Sequence, residues 1–280
     1  MTDRAGPVAE RRDDGRAFSY WLGLELDEIV QDEGAPPEAL GRVDPGPHLR
    51  HADGRLRAGA LLGMLDAVGG LNGGLAALPG WVVSTNITQR VGTLDVTGPV
   101  SLASRVLRTG RNAVVTTVEV HDGARRHVAT GVLTSSILTF EGSAPVGARP
   151  FRLRLAGAAP PALPPVLPPL LGVEPVAPDR VRLAIEPELR NPWGILHGGA
   201  ICLLVDVAVE HVAERVAGGP VAMTDAAVHF LAPGRVGPVE ASGAIVGSRP
   251  DGHVTRVEVR DRGAGDRLLT VAVATVGRGG

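Results

Sequence analysis

Two stretches of the chain are apolar almost all round, and each is followed by β-branched runs that alternate with polar residues. The stretches Gly59–Leu78 and Gly198–Ala217 read as helices; in the second, Ile201, Leu204, Val205, Ala208 and Val212 recur at helical spacing. The runs after them are separated by turn signals such as "APGRVGP", "RPDG" and "RDRGAGD". In one run Val257 and Val259 alternate with Arg256, Glu258 and Arg260, as in a strand with one wet face. The order is therefore a long helix and then several antiparallel strands, twice over. An antiparallel sheet wrapped around one central helix buries both, which predicts an α+β fold.

The two halves also repeat in sequence. "VVTTVEVHD" (Val114–Asp122) resembles "HVTRVEVRD" (His253–Asp261), and the same offset carries Gly98-Pro99-Val100 onto Gly237-Pro238-Val239 and Thr85 onto Thr224. One residue more carries "LRAGALLGMLD" (Leu56–Asp66) onto "LHGGAICLLVD" (Leu196–Asp206), and "LGLE" (Leu22–Glu25) echoes "LGVE" (Leu171–Glu174). Several matches in one order at a nearly constant offset predict two copies of one domain. The expected boundaries are a disordered segment over 1–15, a first domain over 16–143, a connector over 144–169 and a second domain over 170–280. The connector contains "APPALPPVLPPL", which is extended and semi-rigid by composition.

Composition narrows the partners. A net charge of −2 gives no basic surface for nucleic acid or an anionic membrane, and 3% aromatic residues leave little for base stacking. The single cysteine, Cys202, allows neither an internal disulfide nor a cysteine zinc site, and reads as a small core residue. The charged N-terminus lacks the apolar core of a signal peptide, and no apolar stretch reaches the roughly 18 residues of a membrane span. A cytoplasmic protein without metal or redox cofactor is expected.

The chemistry gathers at "NPWGILHGGAICLLVD" (Asn191–Asp206). Asn191-Pro192-Trp193-Gly194 is a turn, and His197-Gly198-Gly199 opens a helix whose first amides have no partner within it. Those amides carry the positive end of the helix dipole, and glycines let a carbonyl oxygen come close to them. Asp206 lies eight residues beyond Gly198, about 12 Å along the axis at about 1.5 Å per residue, too far to serve its own helix start. Two such helices lying antiparallel would bring each aspartate, Asp66 and Asp206, level with the other's N-terminus. The spacing thus predicts sites shared between the halves.

The order of elements, the pattern N-x5-HGG-x6-D over Asn191, His197, Gly198, Gly199 and Asp206, and the following "TDAAVHFLAPG" resemble the hotdog-fold acyl-CoA thioesterases of the PaaI-like group. The resemblance spans about Leu170–Val276; the first copy is similar only in part. It implies two tandem hotdog domains, each a long helix wrapped by an antiparallel sheet, acting on an acyl thioester such as acyl-coenzyme A. It implies that the Gly198 amide polarises the thioester carbonyl, that Asn191 and His197 help to position it, and that a helix carboxylate acts as base or nucleophile. A Ser or Thr on the next strand would steady that carboxylate or the water: Thr224 in the second copy, Thr85 in the first with Ser84 beside it. Gly199, Trp193, Arg57 and Ala58 are candidate substrate-binding residues. The first copy departs from the pattern, with Arg57-Ala58-Gly59 in place of His-Gly-Gly and His51 in place of the asparagine. Pairing across the halves then gives one site with every part (Asn191, His197, Gly198, Asp66, Thr85) and one with Arg57 and Ala58 facing Asp206 and Thr224.

Other residues read as structural. Glu210 and His211 fall at a surface or rim, and His229 suits either packing or the acyl pocket. Arg108, Arg249, Arg256 and Arg260 suit a solvated strand edge or coenzyme A phosphates. Two other functions remain open: a hotdog hydratase or dehydratase, because Asp206 and His211 have the hydratase spacing, and a non-catalytic acyl-thioester binder. The expected partner is a small acyl thioester, and the chain is expected to form an internal pseudo-dimer, with further homo-oligomerisation left open.

Overall fold

The computed structural model describes residues 18–30, 36–138, 152–155, 171–191 and 193–277, with the side chains of 19, 20, 27–30 and 152–155 left aside. The expected disorder of 1–15 lies outside these residues. A short helix α1 (Phe18–Trp21) precedes β1 (Leu24–Val30) and β2 (Glu38–Val43). Next come the long helix α2 (Ala58–Ala76) and the strands β3 (Trp81–Val91), β4 (Val100–Thr109), β5 (Ala113–His121) and β6 (His127–Leu138). After β7 (Arg152–Leu155) the pattern recurs as β8 (Glu174–Ala177), β9 (Arg180–Leu183), a second long helix α3 (Gly198–Ala217), β10 (Ala222–Phe230), β11 (Val239–Arg249), β12 (Gly252–Asp261) and β13 (Arg267–Gly277). Strand β7 pairs with β1, so part of the stretch read as connector is sheet.

The thirteen strands among the described residues form one antiparallel sheet in the order β7-β1-β2-β4-β5-β6-β3-β10-β13-β12-β11-β9-β8. Outward from the central β3–β10 pair, the two flanks run through corresponding strands. At the seam Asn86 faces His229 and Gln89 faces Ala226 in register. Buried Gln89 donates to the carbonyls of Ala58 (3.4 Å) and Thr224 (3.1 Å), and Asp225 accepts from the Val91 amide (3.0 Å). Strands β2 and β4 alternate buried with exposed residues, so one face of the sheet meets the helices and the other meets solvent.

The long helices have different local causes. Helix α2 contains six glycines and no lysine, arginine or glutamate. Each internal glycine costs about 1 kcal/mol against alanine, so this helix depends on burial rather than on propensity. Helix α3 has ordinary caps: His197 at its start, and Gly218 at its end with φ +67°, a left-handed conformation that glycine adopts without penalty. No described helix is long and apolar enough to cross a membrane.

The helices cross antiparallel at glycines. A Cβ on Gly63 would stand 3.6 Å from the Gly199 α-carbon, and 3.3 Å from both Leu22 and Phe18. On either side of that crossing Gly198 meets Asp66 and Gly59 meets Asp206. Overpacking such a contact typically costs about 1–3 kcal/mol. Gly63→Leu is therefore expected to lower unfolding free energy by about 2–3 kcal/mol in urea; an unchanged midpoint and slope would show that the helices do not cross this closely.

Candidate active site

The loop before α3 is shaped by its own polar groups. The Asn191 side-chain oxygen accepts from the Trp193 amide (3.0 Å) and, at longer range, the Ile195 amide (3.4 Å), while Gly194 at φ +70° closes the turn. The Leu196 and His197 amides donate to Gly234 and Leu189. The corresponding loop of the first half repeats these bonds: Leu56 and Arg57 donate to Leu94 and Leu49, with Gly54 at φ +90°. The same backbone thus delivers His197 and Arg57 to equivalent helix starts.

What those two residues do differs. His197 Nδ1 accepts from the Gly199 amide (2.9 Å), which puts the ring proton of the neutral imidazole on Nε2. The cap engages Gly199 and leaves the preceding amide, that of Gly198, without an acceptor among the described residues. Burial pushes the His197 pKa below its usual value and Asp66 offsets this only in part, so the ring is neutral at pH 7. Its Nδ1 lies 3.9 Å from Asp66, and with no proton between them this contact is not an ion pair. Phe18 packs on the ring at 5.1 Å between centroids.

Asp66, on α2 and only 6% exposed, sits directly against the start of α3. A Cβ on Gly198 would fall 2.6 Å from Asp66 Oδ2, so only glycine fits there. The other oxygen, Oδ1, accepts a short 2.6 Å hydrogen bond from the Ser84 hydroxyl on β3. The Asp66 carboxylate, the Gly198 residue with its unpartnered amide and the His197 ring therefore line one cavity of about 620 Å³. Trp81, Leu71, Leu138, Trp193 and Phe230 supply much of its apolar lining. The rim at Leu231–Arg235 is tied down by Asp261, whose carboxylate accepts from the Arg235, Val236 and Gly237 amides (2.8–3.1 Å).

The opposite pole is closed by charge. Asp206 is fully buried, and the space that Gly59 leaves by lacking a side chain is filled by it. Arg57 Nη1 bonds Asp206 Oδ2 (3.0 Å) and Glu210 Oε2 (3.1 Å), and His51 lies 3.3 Å from Glu210. Burial opposes the charge on Arg57, but Asp206 and Glu210 together raise its pKa further. Burial, with neighbouring Asp206, also pushes the Glu210 carboxyl well above its usual range, against the pull of Arg57. Beside a second carboxylate and one shared guanidinium, the Glu210 carboxyl therefore holds its proton more tightly than a solvated one does. Met223 occupies the place that Ser84 has in the first half, so no hydroxyl steadies Asp206.

Set against the sequence-based expectations, the structure brings Asp66, His197, Gly198, Asn191, Thr85 and Trp193 around one cavity. Ser84, rather than Thr85, holds Asp66: a bulge in the β3–β6 register lies at this point, and the Thr85 hydroxyl donates to the Thr134 carbonyl (2.9 Å). Thr224 likewise donates to Thr275 (3.3 Å) and makes no bond to Asp206. Gly199, expected to touch substrate, instead packs on Phe18 and Gly63 in the helix crossing. Arg57 and Asp206 are engaged with each other, and Ala58 is buried beside them. Glu210 is buried rather than at a rim, His211 bonds the Ala177 carbonyl, and His229 pairs with Asn86 at the seam. Arg256 and Arg260 both pair with Glu258. Sequence reasoning missed Phe18 and Asp261; the latter carried a signal, since Asp122 and Asp261 end the repeated "VEV" segments and both cap loops with their carboxylates.

The architecture is that of the hotdog fold. Over 90% of this chain and 98% of the other, the structure superposes with TM-score 0.60 on a provisionally named thioesterase from Novosphingobium aromaticivorans, at 17% identity. An acyl-ACP thioesterase from Bacteroides thetaiotaomicron gives TM-score 0.54 at 10% identity, covering 85% of this chain and 97% of that one. A protein of unknown function with the hot dog fold from Alicyclobacillus acidocaldarius gives TM-score 0.54 at 14% identity, over 90% and 96% of the two chains. At such identities the likeness is one of fold. In sequence, residues 194–267 match the family described as the Thioesterase superfamily, a segment that holds His197, Gly198 and Asp206 but not Asp66 or Ser84. No curated protein sequence matches the chain.

The buried acid pair has a pH signature. A carboxyl whose folded pKa is raised contributes stability that is fully present below its unfolded value, near 4.5, and lost as pH rises towards the folded value. Glu210→Gln removes this contribution. Relative to the wild type, the variant is expected to gain stability from pH 5 to pH 8, measured by urea unfolding at both; a difference independent of pH would show that Glu210 is ionised in the folded chain.

Proposed function

We propose that the chain hydrolyses an acyl thioester, of coenzyme A by preference, at a single site built from both halves. The observation that carries this reading is the packing of the Asp66 carboxylate, held by Ser84, against the α3 start at Gly198, whose amide is left free by the His197 cap. The thioester carbonyl oxygen accepts from the Gly198 amide and is further oriented by the neutral His197 Nε2–H and the Asn191 side-chain amide. Asp66 takes a proton from a water as its oxygen attacks the carbonyl carbon. The resulting oxyanion is stabilised by the amide and the positive end of the α3 dipole. Collapse breaks the carbon–sulfur bond, and the thiolate leaves with the proton held by Asp66, giving acid and thiol. Amides for the oxyanion and a base for water suffice for acyl transfer to water, so activity is expected to survive dialysis against EDTA; loss on chelation with recovery on adding a divalent ion would overturn the metal-free reading.

The same proposal reads the chain as two tandem hotdog copies, 16–143 and 170–280, in PaaI-like form, forming an internal pseudo-dimer in the cytoplasm and taking a small-molecule substrate rather than nucleic acid or membrane. The first copy has given up its own cradle: Arg57 and Ala58 stand where His197 and Gly198 stand in the second, and Arg57 closes the pole by pairing with Asp206. A hydratase would need Asp206 and His211 to face substrate together, whereas His211 bonds the Ala177 carbonyl and Asp206 bonds Arg57.

The asymmetry gives the test. Removing a positioned base costs about 10²–10⁴ in rate. Asp66→Asn should lower kcat for acyl-coenzyme A hydrolysis by about that factor, measured by thiol release. Asp206→Asn should keep most of the activity, its effect falling on stability, because Arg57 then retains only Glu210 as a carboxylate partner. The reverse pattern would assign catalysis to the Arg57 pole.

A further inference from the structure

Beyond the chemical step, the cavity has a direction. Of its polar lining, Asp66, Ser84 and His197 lie together, Ser84 2.6 Å and His197 3.9 Å from the Asp66 carboxylate. From there one stripe of α2, formed by Ala67, Gly70 and Leu71 at one, four and five residues past Asp66, continues the wall. Gly70 leaves that wall open: a Cβ placed on it would meet only Leu133, at 3.9 Å. One turn further the opposite holds. A Cβ on Gly74 would stand 2.8–2.9 Å from three ring carbons of Trp81, so the indole lies flat against the α2 backbone and also lines the cavity. Trp81, Val82 and Leu138 bring no formal charge to this end.

Resting on the thioester-hydrolase reading above, we infer that Gly70 and Trp81 set the acyl length: the chain runs along α2 through the gap at Gly70 and stops at the Trp81 indole over Gly74. Asp66 to Gly74 is eight residues, about 12 Å of helix at about 1.5 Å per residue. An extended hydrocarbon advances about 1.3 Å per carbon, from bonds of about 1.5 Å at tetrahedral angles, so the channel takes about eight to ten carbons. The substrate class is thus a straight medium-chain acyl thioester. Each methylene buried is worth about fourfold in binding, and the gain ends where the indole begins.

The test uses the full chain and saturated acyl-coenzyme A thioesters from two to sixteen carbons. The wild type should show its highest kcat/KM at eight to ten carbons. Gly70→Leu fills the gap and should lower the decanoyl-to-butyryl ratio of kcat/KM at least tenfold. Trp81→Ala opens the end and should raise the myristoyl-to-decanoyl ratio at least tenfold. The opposite signs separate a length gate from general damage to the fold. Ratios within twofold of wild type in both variants, or a wild-type optimum at two to four carbons, would overturn the inference. If the wild type cleaves none of these thioesters, the hydrolase reading fails separately, and the channel is then read from dissociation constants of S-butyl- and S-decyl-coenzyme A thioethers. Preferential loss of S-decyl binding in Gly70→Leu would sustain the channel, and equal loss of both would reject it.

Discussion

The close antiparallel crossing of α2 and α3 at Gly63 and Gly199 governs most of what this molecule contains. Two helices normally pack with axes about 8–10 Å apart, at a distance set by the side chains between them. Glycine on both sides lets backbone meet backbone, and Phe18 and Leu22 cover the contact. At that separation Asp66 is pressed onto Gly198, and Asp206 onto Gly59. A carboxylate is thus held at the positive end of each partner helix, where the dipole and the free amides favour negative charge.

Near-symmetry of backbone and asymmetry of chemistry follow from single side chains at equivalent places. Each helix start is set by the same hydrogen bonds from a preceding loop, and the loop after each first long strand is tied by an aspartate at the end of a repeated segment, Asp122 through the Thr97 amide and Asp261 through the Gly237 amide. At one pole the capping residue is an imidazole that accepts from the second helical amide and leaves the first one free. At the other it is a guanidinium, a donor only, which cannot cap amides and turns to the carboxylates instead. Alanine for glycine and methionine for serine complete the change. One pole keeps a carboxylate on the wall of a cavity, and the other becomes a buried ion cluster.

Burying that cluster is consistent with its composition. Two acids and one arginine in a dry interior would leave an unmatched negative charge, and the raised pKa of the Glu210 carboxyl opposes it. The cluster ties the N-terminus of α2 to the middle of α3, as Gln89 and Asp225 tie the central strands.

The sequence by itself determined a good deal. Apolar periodicity and turn residues are local, so the two long helices, the β-branched strands and the repeated order could be read directly. The Asn-to-His-Gly-Gly spacing marked a helix start, and the eight residues to Asp206 showed that any partner had to come from the opposite helix. What the sequence left open depended on distances between segments far apart in the chain. Whether Ser84 or Thr85 meets Asp66 is decided by a bulge in β3, because a shift of one residue turns a strand's side chains to the other face. Whether Gly199 touches a ligand or a helix is decided by how closely α2 approaches, and that depends on Gly63 and Phe18. The fate of Asp206 and Glu210 was hidden for the same reason. A carboxylate on an apolar helix has one sequence signature whether it faces a cavity or a guanidinium, and only packing brings Arg57 within 3.0 Å of it.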